Sequence, residues 1–271
     1  MHAMIQSVTF SHRQAKTAVH YHDCHEIIFI TAGAAQLRVN GHIETASAGD
    51  ILIFSRFEQH SVASRTDDYR RYVLQITPEV PADPNLSKVF SILFNRPAQF
   101  RNVLHCACCA QAISDLCQKL LQEKECSSPF SGDMLNLLTQ QLLILLYRQM
   151  PQVFADFSES AFDTVQRLQR RLENQYDPPF TLAQLAEQCG FSVAYLSHLF
   201  KRITGSSVMG YLQSCRIAAA KKYLAETGLE IGVIVEKCGF TDASNFSRTF
   251  RSLTGCTPSA FRKIYQKQPN D

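Results

Sequence analysis

The stretch LAEQCGFSVAYLSHLFKRITG, Leu185 to Gly205, has a second copy in IVEKCGFTDASNFSRTFRSLTG, Ile234 to Gly255. Both copies run through Cys-Gly-Phe, then a helical pattern carrying a serine and a cationic or imidazole residue, then Phe-(Lys/Arg) and Thr-Gly. A repeat marks a structural unit used twice. Here the unit is a short helix, a glycine turn and a second helix, the helix-turn-helix whose second helix enters the DNA major groove. Gly190 and Gly239 stand where the turn needs a residue that accepts positive φ. The units are expected at about 181–205 and 230–255.

In the second helix of the first unit, Leu196, Leu199, Phe200 and Ile203 fall at i, i+3, i+4 and i+7 and form the stripe expected to be buried. Ala194, Tyr195, Ser197, His198, Lys201 and Arg202 then face outward. In the second unit Phe246, Phe250 and Leu253 are the inward set, leaving Ser244, Asn245, Ser247, Arg248 and Arg251 outside. Short residues early in such a helix allow close approach to base edges. Arginine can take guanine O6 and N7 with two bonds, and Lys201, Arg202 and Arg251 toward the helix ends reach phosphates. A merely solvated polar face is the bland alternative, and the in-register pair weakens it.

Capping chemistry marks helix starts in this half. Thr181 and Gln184 have capping-box spacing, and Thr257 before Pro258 reads as an N-cap with proline in the first turn. Between the units Val208 to Glu226 reads as one helix carrying Arg216, Lys221 and Lys222. It would hold the two reading helices near one DNA turn apart, roughly 34 Å. Residues 160–271 hold 14 Lys+Arg against 9 Asp+Glu, whereas residues 1–159 hold 13 against 15. A basic half joined to a slightly acidic one suits a polyanion binder fused to something else.

The other half reads differently. Across residues 17–77, EIIFITAG, AQLRVNG, DILIFS and RRYVLQI are short β-rich runs separated by Gly33, Asn40-Gly41 and Ala48-Gly49-Asp50. This spacing predicts an antiparallel barrel or jelly roll. Helical patterns follow at about 86–96, 107–121 and 134–147, and residues 151–162 read as a linker. The last of these helices is apolar on more than one side, so 107–150 is the expected dimer contact. Ten cysteines scattered through helical patterns read as reduced thiols. Cys106-x-x-Cys109 lacks a second such pair, which argues against structural zinc. The start, MHAMIQSVTFSHRQ, lacks the apolar core of a secretory signal, and the apolar run Leu142 to Tyr147 is too short to span a bilayer. A cytoplasmic protein with no membrane partner is expected.

Residues 165–265 resemble the C-terminal domain of the AraC/XylS family of transcription regulators. The resemblance rests on Leu185-Ala186, Gly190-Phe191, Leu196-Ser197, Leu199-Phe200-Lys201, Thr204-Gly205, Tyr211-Leu212, Arg216, Ala219 and Leu224. It continues in Gly239-Phe240, Phe246-Ser247-Arg248, Phe250-Arg251, Thr254-Gly255, Thr257-Pro258 and Arg262. By that resemblance base contacts map onto Ala194, Ser197 and His198 in the first unit and onto Ala243, Ser244, Ser247 and Arg248 in the second. Phosphate contacts map onto Lys201, Arg202, Arg216, Arg251 and Arg262. Val208 departs from the pattern, standing where the second copy has proline.

His20-x-His22-x-x-x-Glu26-x6-Gly33 is similar to the first metal motif of cupins, and Gly49 to His60 to the second. Ser55 and Phe57 replace the proline and glycine of that second motif. The resemblance implies an α+β chain of two domains. One is a cupin-like effector-binding and dimerising domain at 1–150; the other is an all-α tandem helix-turn-helix domain at 163–271. Its implied partners are double-stranded DNA, a small-molecule effector such as a sugar, RNA polymerase and a second copy of the chain. The effector pocket is expected at His20, His22, Glu26, Arg38, His60 and Tyr72, with no resident cofactor. Metal ligation by His20, His22, Glu26 and His60 is the alternative use of those side chains. The competing functional reading is a metal-dependent cupin enzyme carrying a DNA-binding tail; the altered second motif weighs against it, and no enzymatic activity is expected.

Overall fold

The computed structural model describes residues 4–12, 19–39, 41–77, 84–94, 100–126, 128–149 and 159–266. The chain divides into two compact units, Met1–Asp156 and Phe157–Asp271. Of the expected linker, residues 151–158 lie outside the described residues, while 159–162 already belong to a helix. Asn40 of the expected turn and residues 95–96 of the expected short helix also lie outside them.

The first unit packs a five-stranded sheet against a three-stranded one. The strands are β1 (Ile5–Ser11), β2 (His25–Ala32), β3 (Ala34–Val39), β4 (His42–Ser47), β5 (Asp50–Phe54), β6 (His60–Ser64), β7 (Arg70–Ile76) and β8 (Val103–His105). Their order is β1-β7-β2-β5-β8 in one sheet and β4-β3-β6 in the other. Every pairing is antiparallel. Ile28, Ile30, Leu37, Val39, Leu52, Phe54, Val62 and Val103 interdigitate between the sheets. On the other face of the large sheet Ile27, Phe29, Ile51, Ile53, Leu74 and Ile76 are buried as well. Helices α2 (Ala110–Glu125) and α3 (Ser131–Gln149) pack there, following α1 (Pro84–Phe90). Burial on both faces explains why β2 and β5 are continuous apolar runs, whereas β3 alternates because its outer face meets water.

The barrel is wider in sequence than 17–77. β1 pairs with β7, Ile5 opposite Ile76, and β8 adds to β5, Leu52 opposite Val103. Such pairings join residues far apart in the chain, and three-residue β8 carries no local periodicity to betray it.

The second unit is all helical: α4 (Glu159–Asn174), α5 (Leu182–Gln188), α6 (Val193–Thr204), α7 (Val208–Glu226), α8 (Ile231–Lys237), α9 (Ala243–Thr254) and α10 (Pro258–Tyr265). Thr181 and Gln184 close the capping box on α5. Ser192, Ser207, Asp242 and Thr257 cap α6, α7, α9 and α10 through their side chains. Each cap satisfies a backbone N–H that the helix start would leave open. Around α7 a core of Ile217, Leu224, Ile234, Phe240, Phe246, Phe250 and Phe261 joins it to α8, α9 and α10. No helix among the described residues is long and apolar enough to cross a membrane.

Candidate functional site

The helix-turn-helix pairs are α5–α6 and α8–α9. Leu196, Leu199, Phe200 and Ile203 are buried on α6, and Phe246 and Phe250 on α9, with Leu253 partly buried. This inward stripe turns the opposite face of each helix to solvent. Ala194, His198, Lys201 and Arg202 are exposed on α6, and Ser197 is half-buried. Ala243, Ser244, Ser247, Arg248 and Arg251 are all exposed on α9.

The repeated Thr-Gly has one physical use in both copies. Thr204 Oγ1 donates to the Phe200 carbonyl at 2.8 Å and lies 3.2 Å from the Ser206 N–H, which it accepts. Thr254 Oγ1 donates to the Phe250 carbonyl at 2.7 Å and faces the Cys256 N–H at 3.5 Å. Gly205 and Gly255 then leave the helix in the left-handed conformation, at φ 75° and 78°. Each reading helix is therefore ended by the same lock.

Two expected phosphate ligands are otherwise engaged. Arg216 on α7 donates from Nε to the Tyr176 carbonyl at 2.8 Å and from Nη2 to the Pro178 carbonyl at 3.0 Å, with its guanidinium over the Phe240 ring. Arg262 on α10 donates from Nη2 to the Leu229 carbonyl. Both side chains are half-buried, and these donors tie the loop that precedes a unit's first helix. Nearby, Gln266 repeats the arrangement by donating to the Thr227 carbonyl at 2.7 Å. Sequence periodicity gives no sign of these ties, because their acceptors lie 33 to 40 residues away.

In the first unit His20, His22, Glu26 and His60 come together. His20 and His60 share a two-way backbone bridge, each N–H 2.9 Å from the other's carbonyl oxygen. The imidazole centroids lie 4.6 Å apart for His20 and His60, 4.8 Å for His20 and His22, and 5.4 Å for His22 and His60. Phe54 stacks on the His60 ring at 3.8 Å and 6°. Glu26, 5% exposed, places Oε1 at 3.2 Å from His22 Nε2 and Oε2 at 3.2 Å from His60 Nε2. Burial works to raise the Glu26 pKa and is the largest single influence. The His60 hydrogen bond and the nearby His22, His60 and His20 outweigh it together and hold the carboxyl below its usual range.

Arg38 and Tyr72 do not join this cluster. Arg38 is exposed between buried Leu37 and Val39, so strand alternation turns it to the outer face of β3. Tyr72 stands opposite Phe10 and Phe29 and packs its ring on Phe10 at 4.8 Å, on the face away from Val73 and the interior. The sequence reading missed Tyr69 and Arg71. Arg71 lies over the buried Tyr69 ring at 5.1 Å. Burial pushes the Tyr69 phenol up to about 12, opposed by Arg71 and reinforced by Glu26. Arg71 shares its strand face with interior Val73, a period-two signal that was available. Among the cysteines, Cys106 is buried and its thiol is pushed up to about 12 by that burial. Among the described residues the one group of three or more His, Cys, Asp or Glu side chains with ligand atoms within 4.8 Å of one another is His20, His22 and His60. A surface depression of about 360 Å³ lies elsewhere, lined by Val39, His42, Ile43, Glu44, Phe100, Arg101 and Asn102. The convergent polar chemistry is at the histidines instead.

Residues 7–133 match the family described as AraC-like ligand binding domain, and residues 185–264 the one described as Helix-turn-helix domain. The HTH-type transcriptional activator RhaR of Shigella dysenteriae serotype 1 is 27% identical over 252 residues, covering 91% of this chain and 87% of that protein. RhaR of Mannheimia succiniciproducens is 24% identical over 265 residues, covering 95% and 91%. ToxT from Vibrio cholerae O395 shares the fold at a TM-score of 0.61 and 14% identity, covering 98% of this chain and 99% of that one. A ligand-domain match followed by a helix-turn-helix match, with relatives alike over nearly the whole length, places this chain in the AraC/XylS family as a DNA-binding transcription regulator.

Proposed function

We propose that this protein is a ligand-responsive transcription activator that lays α6 and α9 in two successive major grooves of an asymmetric operator. The observation that carries the reading is the paired presentation of these helices. Both are twelve residues long, capped by a Ser or Asp side chain, ended by the same Thr-Gly lock, and buried along one apolar stripe. The nineteen residues of α7 between them span roughly 28 Å at 1.5 Å per residue. That rise suits a spacing of about one DNA turn.

The two readers are unequal. Ala194, Ser197 and His198 offer short or single-bond contacts from α6. Arg248 on α9 is the one long bidentate donor among the base-facing set of Ala243, Ser244, Ser247 and Arg248. Lys201, Arg202 and Arg251 supply phosphate contacts. Arg248→Ala should cost about 1–3 kcal/mol on the preferred operator and relax preference at one guanine. Binding titrations on the operator and on variants at each base would read this; unchanged affinity and selectivity would remove Arg248 from the reading set.

The cluster of His20, His22, Glu26 and His60 is the proposed effector-reading region, its occupant a small polar molecule such as a sugar. Effector binding would shift the population between arrangements that differ in DNA affinity. The activator named for the relatives supports a cytoplasmic protein that acts on RNA polymerase at the promoter. Phe130, Met134 and Leu137, at 82%, 46% and 60% exposure, form an apolar line at the start of α3. A second copy of the chain is its proposed partner.

A further inference from the structure

All ten cysteines are free, and three of them meet away from both the DNA-reading face and the histidine cluster. Cys106, Cys108 and Cys109 occupy the passage from β8 into α2. The Cys109 thiol is in hydrogen-bonding contact with both Cys106 and Cys108. A single 3-10 turn, Ala107–Cys109, sets this geometry. The Cys109 N–H donates to the Cys106 carbonyl at 2.9 Å, and Cys109 Sγ donates to the same oxygen at 3.5 Å. In a 3-10 turn the side chains at i and i+3 eclipse, which lays Cys109 over Cys106. The flanks of the turn are pinned as well. His105, next to Cys106, has its Nδ1 2.8 Å from Asp50 Oδ1, and Asp50 Oδ2 accepts the Ser47 N–H at 2.8 Å. A Cβ on Gly49 would lie 3.7 Å from Ala110 Cβ and 3.8 Å from the Ala107 Cα, so that backbone packs against the turn. The backbone thus holds the Cys106 and Cys109 thiols together before any bond forms.

We propose that Cys106 and Cys109 are a modification site for hydroperoxides, oxidised to a reversible disulfide within the chain. The three thiols differ in access. Cys108 is exposed, but its Sγ donates to Gln149 Oε1 at 3.3 Å, at the end of α3. Cys109 is half-buried and Cys106 is buried at 1% exposure. Cys109 is therefore the thiol that a hydroperoxide reaches while the Cys106 sulfur waits in contact. Cys108 and Cys109 make the poorer pair. Cα atoms of adjacent residues lie about 3.8 Å apart across a trans peptide, below the usual disulfide range of about 4.4–6.8 Å. In the first step the Cys109 thiolate attacks one oxygen of hydrogen peroxide. The O–O bond breaks, the leaving hydroxide takes up the thiol proton as water, and the sulfur becomes a sulfenic acid. The Cys106 sulfur then attacks the Cys109 sulfur, the S–O bond breaks, and a second water leaves with the Cys106 proton. The two sulfurs give up two electrons and the peroxide takes them. Burial raises the Cys109 thiol and pushes Cys106 up to about 12, so thiolate is scarce and the reaction is slow at neutral pH. Such a site answers a sustained oxidant load. Its closure fixes the start of α2, which packs on α3 and β1. The site does not depend on the effector reading, since the bridge forms without DNA or organic effector.

The experiment treats the reduced full-length protein with excess hydrogen peroxide, alkylates the remaining thiols after denaturation, and weighs the peptide that carries residues 106–109. The expected result is a mass lower by two hydrogens, with no alkyl group on Cys106 or Cys109 and full reversal by dithiothreitol. Cys108→Ser should bridge to the same extent as the parent. Cys109→Ser, at a half-buried position, should lose the bridge completely with circular dichroism unchanged. Cys106→Ser should stop at the sulfenic acid of Cys109, trapped as its adduct with a 1,3-diketone. The proposal is overturned if no bridge forms at any peroxide excess that leaves circular dichroism unchanged. A bridge that survives in Cys109→Ser, or one that disappears in Cys108→Ser, would overturn it as well. Absence of the bridge with operator binding intact would leave the DNA-reading function standing.

Discussion

At the scale of single residues, burial and hydrogen bonding redistribute roles that charge alone would assign. Lys201, Arg251 and Arg248 keep their cationic ends in water. Arg216 spends two donors on the carbonyls of Tyr176 and Pro178. Arg216→Ala should therefore lower domain stability by about 1.5–3 kcal/mol, the range for hydrogen bonds that involve a charged group. The slope of log affinity against log salt should stay the same, because no phosphate contact is lost. Chemical denaturation and salt-dependent binding read the two separately; an unchanged midpoint with a slope shallower by about one would return Arg216 to the phosphate set. The reassignment of Arg38 and Tyr72 follows the same logic. Each lies on a strand whose neighbours at i±1 face the interior, so neither can reach the histidines without a register slip.

At the scale of elements, the two turns look alike in sequence and differ in packing. Gly190 and Gly239 both sit at positive φ, 70° and 74°. A Cβ on Gly190 would meet nothing within 4 Å, whereas one on Gly239 would lie 2.3 Å from the Asp177 carbonyl oxygen. The second turn is thus pressed against the backbone that Arg216 holds. Gly190→Ala should cost about 1–2 kcal/mol for the left-handed backbone alone. Gly239→Ala should cost distinctly more, since the loop itself must shift. Paired thermal melts test this, and equal losses would mean that Asp177 moves freely. The locks at Thr204 and Thr254 and the caps at Ser192 and Asp242 show the opposite case. There sequence identity and structural role coincide, because each contact spans four residues or fewer.

At the scale of the molecule, Phe130, Met134 and Leu137 form an exposed apolar line on the first unit. If a second copy covers it, Leu137→Asp should convert dimer to monomer in sedimentation at micromolar concentration. The unfolding midpoint extrapolated to low concentration should stay where it was, since Leu137 is 60% exposed in the single chain. A dimer that survives this change places the contact elsewhere.

The sequence by itself determined much of the helical half: the two units, the caps at Thr181 and Thr257, the buried stripes and the span of α7, Val208 to Glu226, all follow from spacings of three and four residues. It also determined that β-rich runs precede them, and it put His20, His22 and Glu26 in one motif and His60 in a second. Only the tertiary structure decided that β1 and β8 complete the large sheet, that Arg71 lies over the buried Tyr69 ring, and that Arg216 and Arg262 are ties. The physical reason is range. Helix signals are written within one or two turns of chain, while strand pairing and guanidinium–carbonyl contacts join residues tens of positions apart, and no local pattern encodes which distant backbone will be there to meet them.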